Sequence, residues 1–315
     1  MKYLEFCEKV KLKLQELVYE GTSVRIEKIL KNNNVERYAA IIAEESSTVS
    51  PSIYLENFYS DYINGQSLSI ICDEIMAMHK KYKGGIDFKL DNYVNYDYVK
   101  DKLFLKIINK ARNEEFLKNV PYRQFCDLAL VVYIALEEAK NGQATITVNN
   151  RSLEIWNVTK EQVFDVAFLN EYESMPPRLE KMTNVMRELL RERWLDVQDE
   201  ELEEQIDRVI SLMEENGNIT MYVLTNSLKL NGACYIVYEE YLKKFAKSID
   251  SDLYILPSSI HEVLLIPMDC GVSREDLEKM VYDVNNTELS QGEILSDSVY
   301  EFYRETGFDR SMYEK

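Results

Sequence analysis

The chain has 315 residues, 46% hydrophobic and 29% charged, with 10 glycines and 6 prolines, a composition that excludes wholesale disorder and collagen-like or linker-rich chains. Its length is that of about two domains, with room for a sizeable core. The 55 acidic and 37 basic residues leave a net charge of −18, which argues against a broad phosphate-binding surface and against nucleic acid as a partner.

Leu4, Cys7, Val10, Leu14 and Leu17 recur at steps of three and four and predict an amphipathic helix from Leu4 to Tyr19, ended by Gly21. Val24, Ile26 and Ile29 lead into Asn32-Asn33-Asn34, and Val35 to Ala43 follows; asparagine tolerates left-handed turns, so a β-hairpin is predicted. After Pro51, Ile53 to Tyr59 reads as helical with a break at Asn64-Gly65, and Leu68 to Tyr82 as a second helix closed by Gly84-Gly85. Tyr96 to Arg112 mixes helical and alternating patterns and leaves both open. Phe125 to Leu136 reads as a buried strand. Asn141-Gly142 marks a turn, and Ala144, Ile146 and Val148 alternate, so they should pair with that strand. Thr159 to Gln162 is a capping box opening a helix through Phe168. Pro176-Pro177 breaks the chain, and Leu179 to Trp194 resumes helical spacing. Asp196 to Glu215 holds nine carboxylates against one base, Arg208, and reads as an amphipathic helix with a solvated acidic face.

In the final third, Ile219 to Leu224 is strand-like and Gly232 to Ala246 helical. Leu253 to Leu256 and Val263 to Ile266 are strands around Pro257-Ser258-Ser259, and Ser273 N-caps a helix to Val284. The expected fold is α+β (mixed α/β), with two lobes, each a small, mostly antiparallel or mixed sheet with packed helices. The expected division is an N-terminal α+β lobe at 1–155, a helical connector at 156–217 and a C-terminal α/β lobe at 218–315.

Cys7, Cys72, Cys126, Cys234 and Cys270 are odd in number, far apart and set among apolar residues, which suits buried free thiols in a reducing compartment. The start, Met1 to Phe6, lacks an apolar signal-peptide core, and the longest apolar run, Leu128 to Leu136, falls short of the ~20 residues a membrane span needs. A cytoplasmic protein without membrane contact is expected.

Several stretches, in order, carry a resemblance: Asn32-Asn33-Asn34-Val35, Ser50 to Glu56, Trp156 to Thr159, Met221 to Asn226, Gly232-Ala233, Leu256 to Glu262, Val284-Asn285 and Leu295 to Tyr300. Together they resemble an uncharacterised bacterial family known only as a domain of unknown function and seen mainly in gut-dwelling anaerobic Gram-positive bacteria. The resemblance covers nearly the whole chain and implies no activity. Asn170 to Pro176 departs from the Asn-Thr-Pro-Arg-Leu-like segment such proteins tend to show.

Three constellations are candidates for chemistry. In Leu256 to Glu262, an extended backbone would put Ser259 and His261 on one face, with Glu262 beside them as the orienter of a nucleophile and base; a polar turn fits the same residues. Thr225, Asn226 and Lys229 lie between a strand and Gly232, where free amides could hold an anion, although no nucleotide fingerprint is present. Asn285 and Asp297, with Ser296, are loop polar groups suited to a ligand or to helix capping. No metal is expected, since His79 and His261 are far apart and no His/Cys ligand spacing occurs, and no cofactor is expected. Among 22 tyrosines, Tyr54, Tyr59 and Tyr62 fall with Phe58 at helical steps. The expected function is a non-enzymatic binding protein that engages a protein partner through an acidic, tyrosine-rich surface. The alternatives are a hydrolase-like enzyme using Ser259, His261 and Glu262, and a small-ligand or anion sensor at the Thr225–Lys229 loop.

Overall fold

The computed structural model describes residues 1–44, 52–83, 90–136, 145–193, 206–211 and 219–309. It is an α+β fold built on three antiparallel sheets. Gly84-Gly85, Asn141-Gly142 and most of Asp196 to Glu215 lie outside the described residues. Within that acidic segment, residues 206–211 are helical and bury Ile206 and Ile210.

The first sheet contains β1 (Thr22–Leu30), β2 (Glu36–Glu44) and β3 (Ser52–Tyr54). The hairpin turns through Asn33 and Asn34 in left-handed geometry, as the three asparagines predicted. Helices α1 (Tyr3–Leu17), α2 (Glu56–Ile63) and α3 (Leu68–Lys83) pack on this sheet. The predicted helix at Ile53 starts later: Ser52 to Tyr54 pair with β2 instead. Phe6, Val10, Leu14, Ile42, Leu55 and Ile71 centre an apolar core of this region's own. The aromatic row of α2 faces that core, with Tyr59 and Tyr62 against Phe6, so those rings do not form an outward surface.

After α4 (Leu90–Val94), the undecided segment Tyr96 to Arg112 holds both patterns, a short helix α5 (Tyr96–Val99) and then β4 (Leu103–Asn109). Helix α6 (Glu114–Leu117) and β5 (Tyr122–Phe125) follow, then β6 (Leu128–Ala135) and β7 (Thr145–Thr147). Strand β6 pairs with β4 along one edge and with β5 and β7 in succession along the other. Side chains alternate across a strand, so the β4–β6 pair has two unlike faces. Leu103, Leu105, Ile107, Leu130 and Val132 enter the largest core. On the reverse face, Phe104 and Tyr133 form one small apolar cluster, and Ile108, Ala129 and Val131 another. Lys106 sits between them in the alternation.

Helix α7 (Asn150–Trp156) precedes α8 (Lys160–Ser174), whose capping box forms as predicted, with Thr159 Oγ1 accepting from the Gln162 amide and Gln162 Oε1 from the Thr159 amide. Leu179, expected in a helix, lies in β8 (Pro177–Lys181), and α9 (Met182–Arg193) follows. The third sheet runs β13-β12-β10-β11-β9-β8 and adds β9 (Tyr222–Asn226), β10 (Leu253–Leu256), β11 (Val263–Pro267), β12 (Tyr300–Tyr303) and β13 (Gly307–Phe308). Gly232 to Val237 form a 3₁₀ segment ahead of the α-helix Glu239–Ser248, and Ser273 caps the helix Arg274–Thr287. Leu105, Val132, Phe164, Tyr235, Leu253 and Phe302 belong to one core, so the middle and last sheets, parts of the expected N- and C-terminal lobes, share buried apolar packing. Four cysteines are buried and unbridged, and Cys270 is half-buried. Among the described residues no helix is long and apolar enough to cross a membrane.

Candidate functional site

The Asn32–Asn33 turn is stitched to the rest of the chain by side-chain amides. Asn33 Nδ2 donates to the Gln291 and Ile294 carbonyls at 2.8 and 2.7 Å, Asn32 Nδ2 to Gly292 O at 2.7 Å, and the Asn33 amide to Asn113 Oδ1 at 2.8 Å. This brings the end of β1 over the reverse face of β4 and β6 and forms a partly open cavity of about 240 Å³. Its wall includes Lys31, Asn32, Lys106, Tyr133, Thr147 and Asn231.

Lys106 is half-buried, and among the described residues its ammonium has neither an ion pair nor a hydrogen bond. Desolvation, and then the nearby Lys31 charge, push it down to about 8. Two polar atoms of wall residues, Asn32 Oδ1 and Tyr133 Oη, are shut from solvent; Asn32 Oδ1 has no hydrogen-bond partner among the described residues, and the Asn231 side chain lies beside the Tyr133 hydroxyl. Burial first, then the charge of Glu171, hold the Tyr133 phenol protonated. The sequence signal for this site was one lysine inside the apolar run Leu103 to Ile108. A lone charge in a buried strand needs a reason.

None of the candidate residues singled out in the sequence lines this cavity; His261 touches its wall through Asn231. The Ser259 hydroxyl does not bond the His261 ring. Ser259 Oγ donates to Glu262 Oε1 at 3.3 Å and accepts the His261 amide at 3.0 Å, which closes a polar turn. His261 Nδ1 instead accepts the Asn231 amide at 3.1 Å, which leaves the proton of the neutral ring on Nε2. Burial lowers the His261 pKa, against the raising charges of Glu262 and Glu293 and with help from Lys106. The nucleophile–base pairing that a Ser259-His261-Glu262 triad requires is therefore not formed.

The Thr225–Lys229 loop offers no open anion nest. Leu228 and Leu230 amides both donate to Asn226 Oδ1, the Ser227 amide to Pro176 O, and the Lys229 amide to Asn226 O. Lys229 Nζ pairs with Glu188 at 3.0 Å. Thr225 Oγ1 donates to His261 O at 2.8 Å, so the turns at 226 and 261 are brought together. The loop that leads to 297 meets them where Ile260 N donates to Glu293 O. There Asn285 Nδ2 donates to Ser296 O and Asp297 Oδ1, and Arg112 pairs with Asp297 at 2.9 Å. Ser296 caps no helix; its hydroxyl donates to Asp127 and accepts the Ser298 amide.

Sequence reasoning passed over Glu171, which is wholly buried. Three donors converge on its carboxylate: the Leu105 amide and Asn226 Nδ2, each at 3.1 Å, and the Cys234 thiol. Desolvation still outweighs them and lifts its pKa to about 7. Glu171 falls in the Asn170 to Pro176 segment that departs from the expected pattern. Among the described residues no group of His, Cys, Asp and Glu is placed to hold a metal ion.

Fold and site together define an α+β protein with a partly open cavity whose wall carries two lysines, Lys31 and Lys106. The chain belongs to DUF5688, a family of unknown function, whose model matches residues 3–304. No curated protein and no solved structure matches the chain.

Proposed function

We propose that this protein is a binding protein and that its ligand is a small anion held in the cavity at Lys106. One observation carries the reading: a half-buried ammonium with no carboxylate partner among the described residues, in a chain where acids outnumber bases 55 to 37. Elsewhere lysines find acids readily, as Lys28 finds Glu36 and Lys243 finds Glu240. Leaving a desolvated charge unmatched is costly, and an anionic ligand would offset that cost. Binding without hydrolysis fits the Ser259 turn, whose hydroxyl is committed to Glu262 and a backbone amide. The test is calorimetric titration of inorganic phosphate into the protein and into Lys106→Met. Saturable binding lost in the variant supports the reading; equal binding, or none to either, refutes it.

A second reading, a protein partner on an acidic, tyrosine-bearing surface, is favoured by a trough away from the cavity. Tyr172, Tyr238 and Tyr241 line it with Glu239, Glu240 and Lys244, and Tyr172 is 51% exposed. A basic segment with an apolar side chain matches that chemistry. Tyr172→Ala should weaken such a partner and leave phosphate binding unchanged.

A further inference from the structure

We infer that Lys106 forms a reversible imine with a small aldehyde or ketone that carries an anionic group. This rests on the anion reading of the same cavity and deepens it by naming the ligand's reactive group.

Imine formation needs an unprotonated amine, room for a carbonyl compound and a nearby proton donor. The cavity of about 240 Å³ holds several waters' worth of space, at ~30 Å³ per water, more than a bare inorganic anion fills. Among the described residues no carboxylate holds Lys106 as an ammonium, and Lys31 on the same wall disfavours a second positive charge. With its pKa pushed down to about 8, Lys106 presents far more free amine at neutral pH than an exposed lysine does. The proton donor is set by register. Phe104 pairs with Tyr133 and Lys106 with Val131, so Tyr133 is the diagonal cross-strand neighbour of Lys106 on the same face. Its hydroxyl stays protonated and faces the cavity beside the Asn231 side chain.

The step balances without an oxidant or reductant. The Lys106 Nζ lone pair attacks the carbonyl carbon, and the carbonyl oxygen gains a proton to give a carbinolamine. Loss of that hydroxyl as water, assisted by the Tyr133 proton, leaves a C=N bond: R–CHO + H₂N–Lys gives R–CH=N–Lys + H₂O. Lys31 lines the same cavity, and its ammonium, which rests 4.3 Å from the Tyr54 ring centroid, would turn inward to hold the anionic group.

The test is to incubate the full chain with glyoxylate and sodium cyanoborohydride at neutral pH and map the reduced adducts by peptide mass spectrometry. Lys106 should be labelled ahead of every exposed lysine, and inorganic phosphate should slow that labelling. Lys106→Arg should lose the adduct, with its thermal melt checked for folding, and Tyr133→Phe should form it more slowly. Labelling spread over exposed lysines with no preference for Lys106 overturns the inference, and the wild-type map decides this even if a variant fails to fold. If phosphate binds through Lys106 but no adduct forms there, the imine falls and the anion reading stands. If Lys106 responds to neither probe, both fall.

Discussion

Glu171 Oε2 accepts the Leu105 amide at 3.1 Å, so a wholly buried carboxylate closes the open edge of β4 one residue before Lys106. Asn170 extends the same device, with Nδ2 donating to the carbonyls of Lys100 and Leu103. An uncovered strand edge is a template for unwanted pairing, and here α8 covers it with side chains.

That arrangement gives stability a definite pH dependence. The folded pKa of Glu171 lies near 7, above its ordinary 4.5. Between those values the unfolded chain gives up the proton and the native one keeps it, so the native state binds more protons and stability falls as pH rises. Above about 7 both states are ionised and the slope from this group ends. The loss across the window is up to about 3 kcal/mol. Urea melts from pH 4.5 to 8 should show it in the wild type. Glu171→Gln should lack this component and be less stable by about 1–3 kcal/mol, because an amide donor then faces the Leu105 or Asn226 donor.

Gly232 is fixed by contact. A Cβ there would lie against Thr225 Oγ1, 2.5 Å from the Asn226 amide nitrogen and 2.9 Å from His261 O. Two of these are backbone atoms that cannot swing away. Gly232→Ala should lose about 1–3 kcal/mol in a denaturant melt, or fail to fold.

Much of this was legible in the sequence, for local reasons. The α1 stripe, the asparagine hairpin, the Thr159 capping box and the Ser273 cap depend on residues within a few positions of each other. Strand β4 was not legible because six of its seven residues are buried, whichever face they point to, so the alternation that marks a half-buried strand is absent. Leu179 keeps helical spacing with Met182 and Met186, but pairing with Leu224 on β9 decides its conformation. The cavity is further from view. It needs the tip of one hairpin, two neighbouring strands and a loop near residue 231 to converge. The hydrogen bonds that bring them together, Asn33 to Ile294 and Asn231 to His261, span 261 and 30 residues. The Ser259 motif was conspicuous in sequence because turns concentrate polar residues, and it folds as a turn.

Asn33 should matter more than an exposed loop residue. Its φ of 59° is left-handed, and its side-chain amide donates to two distant carbonyls. Asn33→Ala should cost about 2 kcal/mol, by loss of those bonds and by strain. Asn33→Gly relieves the strain but not the lost bonds, so it should fall between the two in melting temperature. It should also weaken phosphate binding, since the turn it anchors forms one wall of the cavity.

Lysine side-chain NMR through a pH titration, with and without inorganic phosphate, reports most directly on the cavity. The Lys106 resonance is expected to titrate near 8 in the free protein and to move upward at saturating phosphate, because a bound anion favours the ammonium form. A Lys106 that titrates with the exposed lysines and ignores phosphate would contradict the account.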